Sequence, residues 1–158
     1  MIGRNMKKEY FWIEKTTFPK CKEEVFFIKG LNIVTGDNNS GIYSHASHLS
    51  ALDANDHIDI WRDSFAHSLH PTQLKMEAGF VIENVSRGLQ AIVFTDSLFM
   101  MRELYLLAHG NNFPIRYINL YFDKNELKVE QADSIDEINH LSLLDENLDQ
   151  SERYLRIP

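Results

Sequence analysis

The chain has 158 residues, 44% of them hydrophobic and 25% charged, which is enough to bury the core of one ordinary domain and excludes a disordered tail. It has no apolar run of about eighteen residues and no secretion signal at its start, and its single cysteine excludes an internal disulfide, so we expect a soluble, cytoplasmic protein. Residues 123–149 hold nine acidic side chains and two lysines, which equals the whole net charge of −7, so the neutral remainder should not attract nucleic acid or anionic lipid.

The first third of the chain predicts β-strands joined by turns. Aromatic and β-branched residues favour strands over 10–14, 25–28 and 31–34, and the third strand leads into the polar segment 36–41 (GDNNSG). A helix-compatible pattern follows over 42–52. The order strand, glycine loop, helix is typical of a phosphate site, because the amide groups and the dipole at a helix N-terminus favour an anion.

The middle of the chain predicts alternating strands and helices. Residues 57–61 predict a short strand, and Pro71 predicts the start of a helix whose apolar spacing ends at Gly88. The continuous apolar run 89–95 is typical of a strand buried on both faces of a parallel sheet. Ser97 then predicts the N-terminal cap of a further helix.

The last third predicts a hairpin and a terminal helix. Residues 115–122 predict a strand, 125–129 its hairpin partner, and the apolar spacing within 136–154 a helix. This pattern predicts an α/β fold, with a mostly parallel sheet flanked by helices and an antiparallel part at the N-terminus.

The glycine loop has the glycine spacing of a Walker A phosphate-binding loop, G-x-x-x-x-G-K-[ST]. Gly36 and Gly41 match the two glycines, but Ile42 and Tyr43 stand where that pattern has its lysine and its metal-binding hydroxyl. The lysine is the main point charge on a triphosphate, so its loss weakens any phosphate site here.

Three segments, in the same order, resemble ABC-like P-loop ATPases, a family that includes chromosome-maintenance heads and AAA-type ATPases of bacterial defence systems. Residues 31–41 (LNIVTGDNNSG) are similar to the LNVIVGPNGSGKST opening of the family. Residues 68–71 (SLHP) resemble its HLHP segment, and 90–100 (QAIVFTDSLFM) resemble its switch strand, QVIVTTHSPFL. The resemblance covers about residues 10–122, with the local structure that each motif requires.

The resemblance implies a nucleotide site, with ATP and Mg²⁺ bound weakly or not at all, in the glycine loop and the first helical turn. The residues at these positions are Gly36, Asp37, Asn38, Asn39, Ser40, Gly41, Ile42, Tyr43 and Ser44. Asp63 falls at the position of the Mg²⁺-binding aspartate, Ser64 at that of the catalytic glutamate, and Asp96 at that of the switch histidine. Electrostatic stabilisation provides most of phosphoryl-transfer catalysis, so hydrolysis is expected to be very slow or absent.

The chain is also short for the family. Eighteen residues separate Ser44 from Asp63, where the family has a long insert with its arm and signature motif, and no SGGQ-like stretch occurs. The resemblance implies a P-loop ATPase-like core over 1–122, with 123–158 as an acidic hairpin and helix of the same domain. We expect a degenerate, inactive nucleotide-binding domain that acts as a binding or regulatory subunit, with a second copy or an intact ATPase as its partner.

Three alternatives remain open. One is slow ATP hydrolysis with a lysine from elsewhere in the chain, for which Lys75, the first lysine after the loop, is the candidate. Another is a metal-dependent hydrolase or nuclease, since imidazole and carboxylate groups suit transition metals. Its candidate ligands are His45, His48, His67, His70 and Asp63. A third is a decayed copy of a full ATPase that keeps the fold alone.

Overall fold

A computed structural model describes residues 12–36, 41–52, 56–62 and 70–157. Within these ranges the chain forms seven strands and four α-helices. The strands are β1 (Lys15–Thr17), β2 (Glu24–Phe26), β3 (Leu31–Gly36), β4 (Ile58–Arg62), β5 (Gln90–Phe94), β6 (Ile115–Asp123) and β7 (Glu126–Ala132). The helices are α1 (Ile42–Leu52), α2 (Pro71–Ser86), α3 (Leu98–Gly110) and α4 (Ser142–Leu155), and a 3₁₀ turn spans Ile135–Glu137.

The central sheet has the strand order β4-β5-β3-β6-β7 among the described residues. Strands β4, β5, β3 and β6 are parallel, while β7 is antiparallel to β6. Every residue of β3 and β5 is buried, as expected for parallel strands that are covered on both faces. The expected α/β fold with a mostly parallel sheet is therefore confirmed.

Helices cover both faces of this sheet, so the chain has three layers. On one face, α2 and α3 pack on alternate residues of β3, β5 and β6, such as Ile33, Val93 and Tyr117. On the other face, α1 packs with the β1-β2 region on the intervening residues, such as Val34 and Phe94. Burial of these two apolar faces is the main stabilising contribution to the fold.

The N-terminal region is antiparallel, as expected, but its first strand lies later than predicted. β1 pairs with β2 in a separate two-stranded sheet, whereas Trp12, Ile13 and Glu14 are not in a strand. The physical reason is a side chain: the amide of Gln90 accepts from Ile13 N at 2.9 Å and donates to Ile13 O at 2.8 Å. The Gln90 side chain therefore forms the two hydrogen bonds with the Ile13 backbone that a neighbouring strand would otherwise form. Residues 10 and 11 lie outside the described residues.

Both ends of α2, the start of α3 and the position of the β6-β7 turn agree with the sequence predictions. His70 caps α2 with Pro71 as its first residue, Gly88 follows its end at φ 88°, and Ser97 Oγ accepts from Met100 N at the start of α3. The β6-β7 turn has Lys124 and Asn125 at φ 48° and 64°, the conformation of a two-residue hairpin turn.

The terminal helix begins later than predicted. The 3₁₀ turn occupies Ile135–Glu137, and α4 starts at Ser142 rather than near residue 136. Residues 139 and 140 instead lie outside the helix, because Glu130 on β7 accepts hydrogen bonds from both of their backbone amides. In the part of the chain that the structure describes, no helix is long and apolar enough to span a membrane.

Candidate functional site

The carboxyl edge of the parallel strands is the place where this topology favours a ligand. The β3 connection runs through α1 to β4, past β5, while the β5 connection runs through α3 to β6, past β3. Because α1 and α3 cover opposite faces of the sheet, a crevice opens outside the ends of β3 and β5. In open α/β sheets, ligands bind at such a switch point.

The glycine loop begins and ends at this crevice. Gly36 is the last residue of β3 and is buried, and Gly41 precedes α1 directly at φ 71°, a left-handed conformation that favours glycine. The candidate binding residues between them, Asp37, Asn38, Asn39 and Ser40, lie outside the described residues. The two described glycines therefore lie at the carboxyl end of β3 and at the N-terminus of α1.

The start of α1 has the polarity of an anion site without a cationic side chain. Its first internal hydrogen bond joins His45 N to Gly41 O, so the amides of Ile42 and Ser44 have no acceptor within the helix. Its first turn has no acidic residue. The helix dipole and these amides favour a negatively charged group at this end.

The first two residues of α1 do not reproduce the lysine and hydroxyl of a Walker A loop. Ile42, at the lysine position, is only 3% exposed and packs in the core between α1 and the sheet. Tyr43, at the hydroxyl position, is half-buried against the same core, and Ser44 is exposed. The described residues thus fit an anion held by backbone groups, but not the side chains that a Mg²⁺-triphosphate requires.

A row of buried polar side chains crosses the sheet beside the crevice. Thr35 is paired with Asn119 in the β3-β6 register, and Thr95 N donates to Val34 O immediately beside them. These three side chains, Thr35, Thr95 and Asn119, are at most 4% exposed. Among the described residues Thr35 Oγ1 has no hydrogen-bond partner, which costs about 1–3 kcal/mol unless a further group reaches it.

The other positions that the resemblance implies are only partly described. Asp96 follows β5 at the carboxyl edge and is half-buried, next to the Ser97 cap of α3. Asp63, the candidate metal ligand, lies outside the described residues, as do Ser64, His67 and the first two residues of the 68–71 motif. Lys75 is exposed on α2, which covers the opposite face of the sheet from α1.

Sequence reasoning missed one cation near the start of α1. Arg62 is the last residue of β4, and its Nη1 donates to Ser47 Oγ at 2.8 Å. Ser47 in turn donates to Tyr43 O, so the guanidinium lies against the first turns of the helix that follows the glycine loop. The only sequence signal is a lone arginine at the end of a strand, which does not by itself indicate a site.

The described histidines do not form a metal centre. His45 is buried in α1 with its ring 4.8 Å from that of Phe18, while His57 precedes β4 at the opposite edge of the sheet. His70 Nδ1 caps α2 by accepting from Thr72 N, and His48 is half-buried on α1. Within the described ranges, no three histidine, cysteine, aspartate or glutamate side chains are close enough to share a metal ion.

A polar network on β6 and β7 was also not predicted. Glu130 accepts from Asn119 Nδ2 at 3.2 Å, from His140 N at 2.9 Å and from Asn139 N at 3.1 Å, and its Oε1 lies 2.7 Å from His140 Nδ1. The His140 ring stacks on Tyr121, with centroids 4.1 Å apart. Burial acts to raise the pKa of Glu130, but the hydrogen bonds from His140, Asn119 and Asn139 bring it below its usual value. The network fixes the segment that leads to α4.

No protein-family model, no curated protein and no solved structure matches this chain.

Proposed function

We propose that the chain is a shortened, degenerate P-loop nucleotide-binding domain of the ABC-like kind, without efficient turnover, that acts as a binding or regulatory subunit. The proposal rests on the motif resemblance together with one structural observation. A fully buried parallel strand ends at Gly36, and helix α1 starts directly after Gly41, which has φ 71°, at the switch point of the sheet.

The order of the other motifs supports the same proposal. The strand that precedes the 68–71 motif, β4, and the strand that carries the 90–100 motif, β5, are neighbours and parallel. β5 is also parallel to β3, so the three motif strands end at one edge. A ligand at the glycine loop would therefore meet Arg62 and Asp96, which end β4 and follow β5.

Weak binding follows from the charges. The buried Ile42 supplies no cation, and Asp96 adds a negative charge at the position of the family's histidine. Backbone N–H groups of α1 would hold the anion. The Arg62 guanidinium, which donates to Ser47 Oγ, could exchange this hydrogen bond for one to a bound phosphate. Without a lysine, a metal-side hydroxyl or a catalytic glutamate, the developing charge of hydrolysis is poorly stabilised.

Isothermal titration with ATP and Mg²⁺, followed by a phosphate-release assay, tests this proposal. We expect weak binding and no turnover, and Gly41→Ala should weaken binding because an added Cβ strains the loop end. Gly88→Ala is the matched control, because Gly88 has a similar positive φ of 88° at the end of α2. Its substitution should leave nucleotide binding unchanged.

A second pair of variants tests the cation. Arg62→Gln should weaken ATP binding, while Lys75→Gln, on the other face of the sheet, should not. Turnover at ordinary ATPase rates that persists in Gly41→Ala and Asp63→Ala would contradict the site assignment. Equal binding by the wild type and all four binding-test variants, or no heat of binding at all, would contradict the nucleotide proposal itself.

The proposed partner is a second copy or an intact ATPase of the same kind. The support is indirect: the family completes its ATP site across a dimer, and this chain has no sequence for the signature side of that site. Light scattering of the chain with and without ATP tests the first partner, since self-association should increase with nucleotide. A monomer under both conditions leaves the intact ATPase as the proposed partner.

A further inference from the structure

A groove lies between α3 and the segment that follows β7, away from the glycine loop. Two adjoining cavities form it, with volumes of about 340 Å³ and 260 Å³, and they share Tyr105, Tyr117, Ile135 and Asp136 as lining residues. Small-molecule sites are commonly clefts of about 300–1,000 Å³ with apolar walls and a few polar groups. The groove falls in this size range; the smaller cavity is lined mainly by apolar atoms, and the larger one by polar and apolar atoms alike.

One stripe of α3 forms the first wall. Leu98, Arg102, Tyr105 and His109 recur at helical spacing and line the groove. Tyr105 and His109 stack with their ring centroids 5.7 Å apart, which gives this wall a flat aromatic surface. Arg102 is exposed and, among the described residues, makes no ion pair, so its guanidinium is available to a ligand.

The 3₁₀ turn and β6 form the second wall and the floor. Tyr117 is only 5% exposed, and the pKa of its hydroxyl is raised to about 12, first by burial and then by the charges of Tyr105 and Asp136. Asp136 is exposed and lines both cavities, and no described cation pairs with it. Met101 and Ile135 make the floor apolar.

We propose that this groove binds a small zwitterion with an apolar or aromatic side chain, of the size of a free amino acid or a dipeptide. A cation on one wall and an anion on the other, both without a protein partner, complement the two charges of such a ligand. The Arg102 guanidinium holds the carboxylate, Asp136 holds the ammonium group, and the side chain lies between Tyr105 and the apolar floor.

The charge arrangement separates this ligand class from others. A simple anion would be repelled by Asp136, and a simple cation would be repelled by Arg102. Neither ligand could therefore form favourable contacts with both walls of the groove. A purely apolar ligand would bury two unpaired charges of the groove, which costs free energy. Binding here is independent of the glycine loop and of any nucleotide.

Titration of the ¹⁵N-labelled full chain with L-phenylalanine, L-methionine and glycyl-L-phenylalanine, followed by amide NMR, tests the proposal. At least one probe should shift the amides of 102–105 and 133–136 in a saturable manner below about 10 mM. N-acetyl-L-phenylalanine and L-phenylalanine methyl ester each lack one charge. Both should bind about tenfold or more weakly than the free amino acid, because each loses one charge-assisted hydrogen bond.

Two variants and two matched controls complete the test. Arg102→Gln and Asp136→Asn should each weaken binding about tenfold or more, while the dispersion of the amide spectrum shows that both fold. Arg87→Gln and Asp149→Asn remove exposed charges outside the groove, each from an ion pair within its own helix region, and should not change binding. If none of the three probes shifts these amides, or if binding is indifferent to Arg102, Asp136 and both blocked derivatives, the proposal is wrong.

Discussion

At the scale of single residues, Glu130 is the acceptor around which the β6-β7 edge and the start of α4 are organised. Its carboxylate takes hydrogen bonds from Asn119, Asn139 and His140. In Glu130→Gln one carboxylate oxygen becomes an NH2 group, which cannot accept the hydrogen bonds that this oxygen receives. The variant should lose about 1–3 kcal/mol of unfolding free energy at pH 7, measured by urea denaturation.

The contribution of Glu130 to stability depends on pH. The pKa of Glu130 is lower in the folded than in the unfolded chain, so its carboxylate stabilises the fold at pH values above the usual pKa of 4.5. This contribution is lost as the pH falls through the lower pKa of the folded state. Wild type should therefore lose more stability than Glu130→Gln below pH 4.5. Glu126→Gln, which breaks an exposed contact with Lys128 at 3.6 Å, is the control and should behave like wild type. Equal acid loss in all three proteins would contradict the assigned role.

Tyr117 gives a second residue-scale prediction, at alkaline pH. Burial and then the charges of Tyr105 and Asp136 raise its pKa from 10 to about 12, so the folded state keeps its proton longer than the unfolded chain does. Its contribution to stability is complete below pH 10 and is lost between pH 10 and about 12. The pKa of Tyr121 is also raised, so ultraviolet titration should show more than one late tyrosine, and the component near pH 12 should be missing in Tyr117→Phe. Simultaneous ionisation of all six tyrosines in the folded chain would contradict this.

At the scale of secondary-structure elements, we expect alanine substitutions at two glycines to change the stability of the fold in opposite directions. Gly41 has φ 71° before α1, so Gly41→Ala should cost about 1–2 kcal/mol. Gly79 is exposed within α2, with no atom within 4 Å of an added Cβ, so Gly79→Ala should add about 0.5–1 kcal/mol. Thermal unfolding of both variants measures the two effects. A shift of the same sign in both would show that the loop end does not have the described backbone.

The elements that local sequence determines were predictable. Pro71 and Ser97 begin helices through their own backbone geometry and side chains, and the buried runs of β3 and β5 need both faces covered, wherever they lie in the fold. Two predictions failed because a distant side chain decides the conformation. Gln90 takes the place of a strand beside Ile13, and Glu130 holds Asn139 and His140 out of the terminal helix.

The candidate site was predictable in outline only. The spacing of Gly36 and Gly41 indicates a loop before a helix, and in the structure Gly36 ends β3 and Gly41 directly precedes α1. Sequence spacing does not contain the side-chain contacts across the sheet. For that reason the contact of Arg62 with Ser47, the row through Thr35, and the groove beside Tyr117 were all missed.

At the scale of the whole molecule, the acidic segment is part of the structural unit and not only a charged tail. Strand β7 completes the central sheet, and the Glu130 network ties the following segment to β6 through Asn119. Removing residues 124–158 should therefore expose the edge of β6 and the apolar core beneath it. We expect the truncated chain to unfold or aggregate, as measured by circular dichroism and light scattering. A folded monomer of residues 1–123 would show that the extension is dispensable.

We propose that the carboxyl edge around the glycine loop is a nucleotide site without efficient turnover. Titration of the ¹⁵N-labelled chain with ATP and Mg²⁺ tests it most directly, with inorganic phosphate assayed in the same sample. We expect saturable shifts of the amides of Gly36, Gly41, Ser44 and Asp96, with no phosphate released. Unchanged amides at these four residues, or phosphate release at ordinary ATPase rates that persists in Gly41→Ala, would contradict it.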